Sequence, residues 1–194
     1  APDRIRTDTR HKQTVWLTKS GDEMSVVVIG LGNVLLSDEG LGVRAVELLE
    51  QRYILPDSVE VIDGGTSAMD LLNPLSNHDH VIIADSVKTG AAPCTLIRLA
   101  DDEVPKFFQT KISPHQIGLS DLLALLTVQG EAPKKITIIG MVPQSLATHI
   151  GLTEGVTEKM DEMVEMLVNE LRSLGIAVKP RQDGAQGFWA EAEQ

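Results

Sequence analysis

At 194 residues the chain suits one domain with a tail and is long enough to bury a core without disulfides or a structural metal. Its formal charge of −11 gives the long-range field the wrong sign for a nucleic-acid or anionic-membrane partner, which leaves small molecules, metals and proteins. A lone cysteine, Cys94, rules out an internal disulfide and any C-x-x-C metal site, a usage that fits a reducing cytoplasm.

The first 23 residues mix both charge signs, lack the apolar stretch of a secretory signal, and are expected to be a poorly ordered or accessory tail. Met24 stands just before the first strand pattern and is a candidate natural start. From there short β-branched runs alternate with longer segments of helical period, the mark of β-α units in a parallel sheet. "MSVVVIG" is a buried strand, and "EGLGVRAVELLEQRY" a helix with Leu41, Ala45, Leu48 and Leu49 on one face. "SVEVIDGG" is a second strand, stopped at Asp63 and two glycines, and "TSAMDLLNPL" a short helix with Thr66 as its cap. "DHVIIADS" gives a strand ending at Asp85, "CTLIRLA" another with Cys94 as a small buried hydrophobe at its start, and "KKITIIGMVP" one ending at Gly140. In "KISPHQIGLSDLLALLTVQG", Ser113 is read as an N-cap, Pro114 as the first helical residue and Gln116 as the reciprocal capping-box partner, which puts His115 in the first turn. A last helix runs from Thr153 to Leu174 and breaks at Gly175. No apolar run approaches a membrane span. The expected fold is α/β: a three-layer α/β/α sandwich around a mostly parallel sheet of about five strands, folded over 24–180, with a C-terminal tail over 181–194.

Open α/β sheets bind ligands at the carboxyl ends of their strands. Gly32, Glu39, Asp63 and Asp85 all fall at such ends. "GLGNVL" begins like a dinucleotide loop, but Leu35 replaces the third glycine, and Asp38 and Glu39 stand where a pyrophosphate would need free N–H groups. Glu39, Asp85 and His115 form a different set: two carboxylates and an imidazole from three elements, donors that suit zinc or nickel with a position left open. Simpler readings remain beside it, in which Glu39 complements a helix dipole, Asp85 caps the segment after its strand and His115 faces solvent. Asp63 in "DGGTS" either recognises substrate or ends its strand in an Asx turn. His78, His80 and His149 read as surface residues, and "ADDEV" and "DEMVE" as solvated faces. G-x-S-x-G, H-E-x-x-H and Walker motifs are absent.

Together "GLGNVLLSDEGLGVRAVELLE", "VEVIDGGTSAMDLL", "DHVIIADSV" and "KISPHQIGLSDLLALL" resemble the [NiFe] hydrogenase maturation endopeptidases, in order and across most of the folded chain. That resemblance implies an endopeptidase that removes a C-terminal extension from the hydrogenase large-subunit precursor after nickel insertion. It assigns metal contact and catalysis to Glu39, Asp85 and His115, substrate recognition to Asp63, Gly64, Gly65 and Thr66, and a secondary place to Asp38. It further implies nickel supplied by the substrate, no organic cofactor, a cytoplasmic protein, and a monomer when free. The competing expectations are a non-proteolytic nickel-binding or chaperone protein, and a nucleotide-binding oxidoreductase.

Overall fold

The computed structural model describes residues 24–109 and 114–182, with the side chains of Ala68, Gln109, Pro114 and His115 also outside the described set. The expected tail over 1–23, residues 183–194 of the tail expected over 181–194, and the cap expected at Ser113 lie outside the described residues. The elements follow in the order β1 (Val26–Leu31), α1 (Leu41–Arg52), β2 (Tyr53–Ile54), β3 (Val59–Gly65), α2 (Leu72–Leu75), β4 (His80–Ser86), β5 (Leu96–Ala100), α3 (Glu103–Gln109), α4 (Pro114–Gln129), β6 (Lys135–Met141), α5 (Glu154–Ser173) and β7 (Lys179–Pro180). Short 3-10 turns at Ser37–Gly40 and Ala68–Leu71 lead into α1 and α2.

The main sheet has the order β3-β1-β4-β6-β5. β3, β1, β4 and β6 are parallel, while β5 runs antiparallel along β6. β1 and β4 are buried along their whole length, as the continuous apolar runs required. Alternation along β1 divides the core in two. Val26 and Val28 point to the layer formed by α1 and α5, whereas Val27, Ile29 and Leu31 meet the layer of α2, α3 and α4. In α5 the buried residues Val156, Met160, Met163, Val164, Leu167, Val168 and Leu171 repeat at three and four, so one stripe faces the sheet and "DEMVE" exposes only its acids. The α/β/α sandwich of five mostly parallel strands is therefore the observed fold.

Several local expectations give way. Ser67 rather than Thr66 occupies the N-cap position before the turn at Ala68–Leu71, and it makes no side-chain capping bond. The strand expected at Cys94 starts two residues later. Cys94 sits half-buried in a turn with φ +63°, its N–H bonded to the Val142 carbonyl at 2.8 Å. His80 is not a surface residue: it is 5% exposed, because it opens the fully buried β4. The capping box expected between Ser113 and Gln116 rests on Ser113, which lies outside the described residues. The Gln116 amide nitrogen is turned into the protein, toward Asp85.

Candidate active site

Strand order fixes where a site can form. From β1 the chain moves to β3 on one side and then crosses to β4 on the other, so the crevice lies between the carboxyl ends of β1 and β4. Glu39 is carried by the loop after β1, and Asp85 is the penultimate residue of β4. The turn Ser37–Gly40 packs against β4, which brings the Glu39 segment onto the strand that ends in Asp85. Both are withdrawn from water, Glu39 at 9% exposure and Asp85 at 2%.

The glycines explain how a carboxylate reaches that position. Gly32 has φ +129°, and a Cβ there would lie 1.7 Å from the Glu39 carbonyl oxygen. The loop therefore folds back upon itself at a point where no side chain fits. Ser37 adopts φ +51°, a conformation uncommon outside glycine, directly before the two acids.

Asp38 and Glu39 are adjacent, yet they point to different tasks. Asp38 is fully buried, and its Oδ2 accepts from the Gln144 and Ser145 N–H groups, both at 2.9 Å, and from the Thr153 hydroxyl at 3.0 Å. Its Oδ1 accepts the Thr153 N–H at 2.7 Å. These four bonds tie the 142–153 loop to the Glu39 loop, and the Asp38 N–H returns a bond to the Ser145 carbonyl at 3.2 Å. Asp38 is a latch, with its oxygens spent on the protein itself.

Asp85 is oriented by two donors. Its Oδ1 accepts the Ser86 N–H at 2.7 Å, and its Oδ2 accepts the Gln116 amide at 2.8 Å. The same Gln116 nitrogen donates to the Ser86 carbonyl at 3.0 Å, and the side chain is 4% exposed. No helix follows β4 directly, so Asp85 is not the cap of a succeeding helix. Gln116, expected from the sequence as a capping partner, thus also holds the candidate ligand Asp85 in place. Its place in the first turn of α4, beside a candidate ligand, was the available signal. His115 is the second residue of α4, so its backbone stands next to the Gln116 anchor; its side chain lies outside the described residues.

The Asp63 segment borders the same edge. Asp63 pairs in register with Gly30, and the Gly65 carbonyl accepts the Gly32 N–H at 2.9 Å, which joins the two glycine loops. Asp63 itself is exposed, and its Oδ1 accepts the Gly65 N–H at 2.9 Å in an Asx-type turn. Gly64 is buried and Thr66 exposed. His149 is exposed as expected, and His78 is half-buried.

A doubly wound sheet with acids at its switch point fits a hydrolytic site better than a nucleotide fold, and the comparisons give the class directly. Residues 43–170 match the family model for hydrogenase maturation protease. The chain belongs to that family and is a peptide-bond hydrolase, a hydrogenase maturation endopeptidase. It is 51% identical over 160 residues to the hydrogenase 2 maturation protease of Escherichia coli K12, covering 82% of this chain and 98% of that one. The hydrogenase expression/formation protein HupD of Rhizobium leguminosarum is 40% identical over 162 residues, covering 82% of this chain and 80% of its own. The solved structure of the hydrogenase maturating endopeptidase HybD from E. coli superposes with a TM-score of 0.79 at 52% identity, covering 82% of this chain and 99% of that one. The fold persists at 24% identity in a [NiFe] hydrogenase maturation protease from Thermococcus kodakarensis, with a TM-score of 0.64 over 76% of this chain and 99% of that one.

Proposed function

We propose that this endopeptidase removes the C-terminal extension of a [NiFe] hydrogenase large-subunit precursor once nickel is in place, using Glu39, Asp85 and His115 to engage the nickel carried by that substrate. The observation that carries the reading is the pair of buried carboxylates, Glu39 and Asp85, on segments flanking the switch point in a chain of this family. Carboxylate oxygens with one imidazole nitrogen suit a borderline cation, and three ligands leave room for a water or a carbonyl. Among the described residues no three His, Cys, Asp or Glu groups enclose a cation, so the set depends on the His115 imidazole. No organic cofactor enters the reaction. Asp63, Gly64, Gly65 and Thr66, tied to the Glu39 loop through the Gly65 carbonyl, contact the precursor chain beside the cut.

In this reading substrate-borne nickel lowers the barrier by polarising the scissile carbonyl or acidifying a bound water. A carboxylate takes the proton from the attacking water as its oxygen bonds to the carbonyl carbon. The proton then passes to the amide nitrogen as the C–N bond breaks. Burial of Asp85 and its Gln116 bond hold that carboxylate in one orientation. Among the described residues no helix is long and apolar enough to cross a membrane. The reaction is assigned to the cytoplasm, with the free enzyme monomeric.

Intact mass of nickel-loaded and nickel-free precursor after incubation with the enzyme tests the reading. Loss of the C-terminal peptide from the loaded form alone is expected. Equal cleavage of both forms would remove nickel from the mechanism, and a folded His115→Ala enzyme that cleaves normally would remove the imidazole.

A further inference from the structure

Large exposed apolar side chains gather at the site end of the sheet. Leu35 is 54% exposed, Leu146 38% and Ile150 68%, and all three ride on the two loops that Asp38 latches together. The junction between those loops is built from backbone. The Ser37 N–H donates to the His149 carbonyl at 2.9 Å, and the His149 N–H donates to the Leu35 carbonyl at 3.0 Å. Leu35 and Ile150 therefore flank one short parallel bridge, Leu36 to His149, a few residues from Glu39. Beside Ile150 an open groove of about 730 Å³ runs between α1 and α5, with Leu48, Leu152 and Met160 among its lining residues.

Apolar side chains on an untethered loop fold down onto the body of a protein, because hiding them from water is favourable. Here a buried carboxylate with four donors holds the loops in place, and Leu35 and Ile150 stay in water. Large exposed apolar side chains held on two joined loops beside a candidate site mark an interaction surface. We propose that the Leu35–Leu146–Ile150 crest is the docking surface for apolar side chains of the precursor polypeptide next to the scissile bond. This rests on the large-subunit precursor being the substrate. A polypeptide fits better than a lipid surface for two reasons: the chain's charge of −11 repels anionic headgroups, and Leu35 shares its loop with Glu39, where a cleaved chain has to pass, while Asp38 latches the Leu146 and Ile150 loop to it.

The test uses the full chain with nickel-loaded precursor and reads KM and kcat separately. Leu35→Ser and Ile150→Ser should each raise KM roughly tenfold, and the double variant roughly a hundredfold, with kcat within about twofold and the melting temperature unchanged. Val128→Ser is the control. Val128 is 86% exposed near the far end of α4, about 20 Å along the helix from Gln116, and its KM should not move. An unchanged KM in the folded double variant overturns the proposal. If the wild type cleaves no precursor, the substrate assignment fails, and precursor binding by biolayer interferometry then decides the surface. Binding lost in the double variant supports it, and equal or absent binding overturns it. Adsorption to phosphatidylcholine vesicles that the double variant loses, with KM unmoved, would reassign the crest to a membrane and likewise overturn the proposal.

Discussion

Asp38 and Glu39 share a side-chain chemistry and one loop, and the structure separates them by what surrounds their oxygens. The Asp38 carboxylate is filled by donors that lie 106 to 115 residues away, so its removal orphans three backbone N–H groups and one hydroxyl. Each orphaned buried donor costs on the order of 1–3 kcal/mol. Asp38→Ala should accordingly lower the melting temperature by about 10 °C or more, at roughly 2–4 °C per kcal/mol for a chain of this size. Glu39→Gln keeps shape and packing, so its melting should stay within a few degrees while precursor processing falls by about a hundredfold, the scale of a lost general base or metal ligand. Thermal melts and intact-mass time courses on both variants check the division, and a wild-type melt for Asp38→Ala would undo it. In the sequence Asp38 has only a secondary place beside Glu39, since nothing local shows that its partners lie on the 142–153 loop. Glu39 and Asp85 are legible because strand ends can be read from apolar runs. The role of Gln116 is not, because a glutamine in a first helical turn reads as a capping group.

At the scale of elements, the seating of α1 on the sheet depends on a glycine that the helical pattern disguises. Gly42 lies in the first turn of α1, where a Cβ would come within 2.2 Å of the Ala84 carbonyl oxygen and 2.4 Å of that of Leu31. Both clashes are with backbone, so no rotamer relieves them. Gly42→Ala should raise helix propensity by about 1 kcal/mol and still destabilise the protein by about 3 kcal/mol or more, because α1 must lift from β1 and β4 and carry Glu39 with it. Denaturant melts are the measurement, and a stabilised Gly42→Ala protein would show that the helix slides freely. The elements themselves were mostly readable: β1, β4, β6 and α5 follow from their periodicity within a residue or two. The direction of β5 was not. Antiparallel pairing of Leu96–Ala100 with β6 is set by the connection before it and leaves no mark on a five-residue strand. The helix α3 was lost in "ADDEV", whose acids face water while Val104 and Phe108 turn inward.

For the whole molecule, the end of the sheet opposite the site holds a polar chain, buried at His80, Thr137 and Glu170 and exposed at Arg98, that ties four elements together. Arg98 on β5 donates to both Glu170 oxygens on α5, at 2.8 and 2.9 Å, and the Thr137 hydroxyl on β6 donates to Glu170 Oε1 at 3.0 Å. With that proton committed, His80 Nε2 must supply the hydrogen of its 2.8 Å contact to Thr137, which fixes the tautomer of a neutral ring. Burial pushes the His80 imidazole below its usual 6.5; Lys135 and Arg98 add to that, and the attraction of Glu170 and Asp101 opposes it without prevailing. Glu170 is pushed up by burial, but bonds from Arg98 and Thr137 outweigh that and leave it below 4.5. A histidine depressed in the folded state is protonated first in the unfolded chain, so its linked stability is intact above pH 6.5 and is lost as the pH falls from there through the folded value. Asp79 adds a second step. The Lys134 ammonium and the Ser25 N–H hold its carboxyl at about 2 against 3.8 in the free group, so its contribution is present above 3.8 and lost below it. Glu170, held below 4.5, loses its contribution in the same lower range as Asp79, so melting temperature should fall in two stages on acidification. His80→Gln, which can still donate to Thr137, should flatten the first stage and leave the second. Identical acid profiles for wild type and His80→Gln would place the first stage elsewhere. His80 and Thr137 at one end and Asp85 and the start of the 142–153 loop at the other lie on the same two strands, β4 and β6, so acidification through the first stage should loosen the frame under Asp85. Processing rates measured across the first stage should then fall with the wild-type melt and recover in His80→Gln.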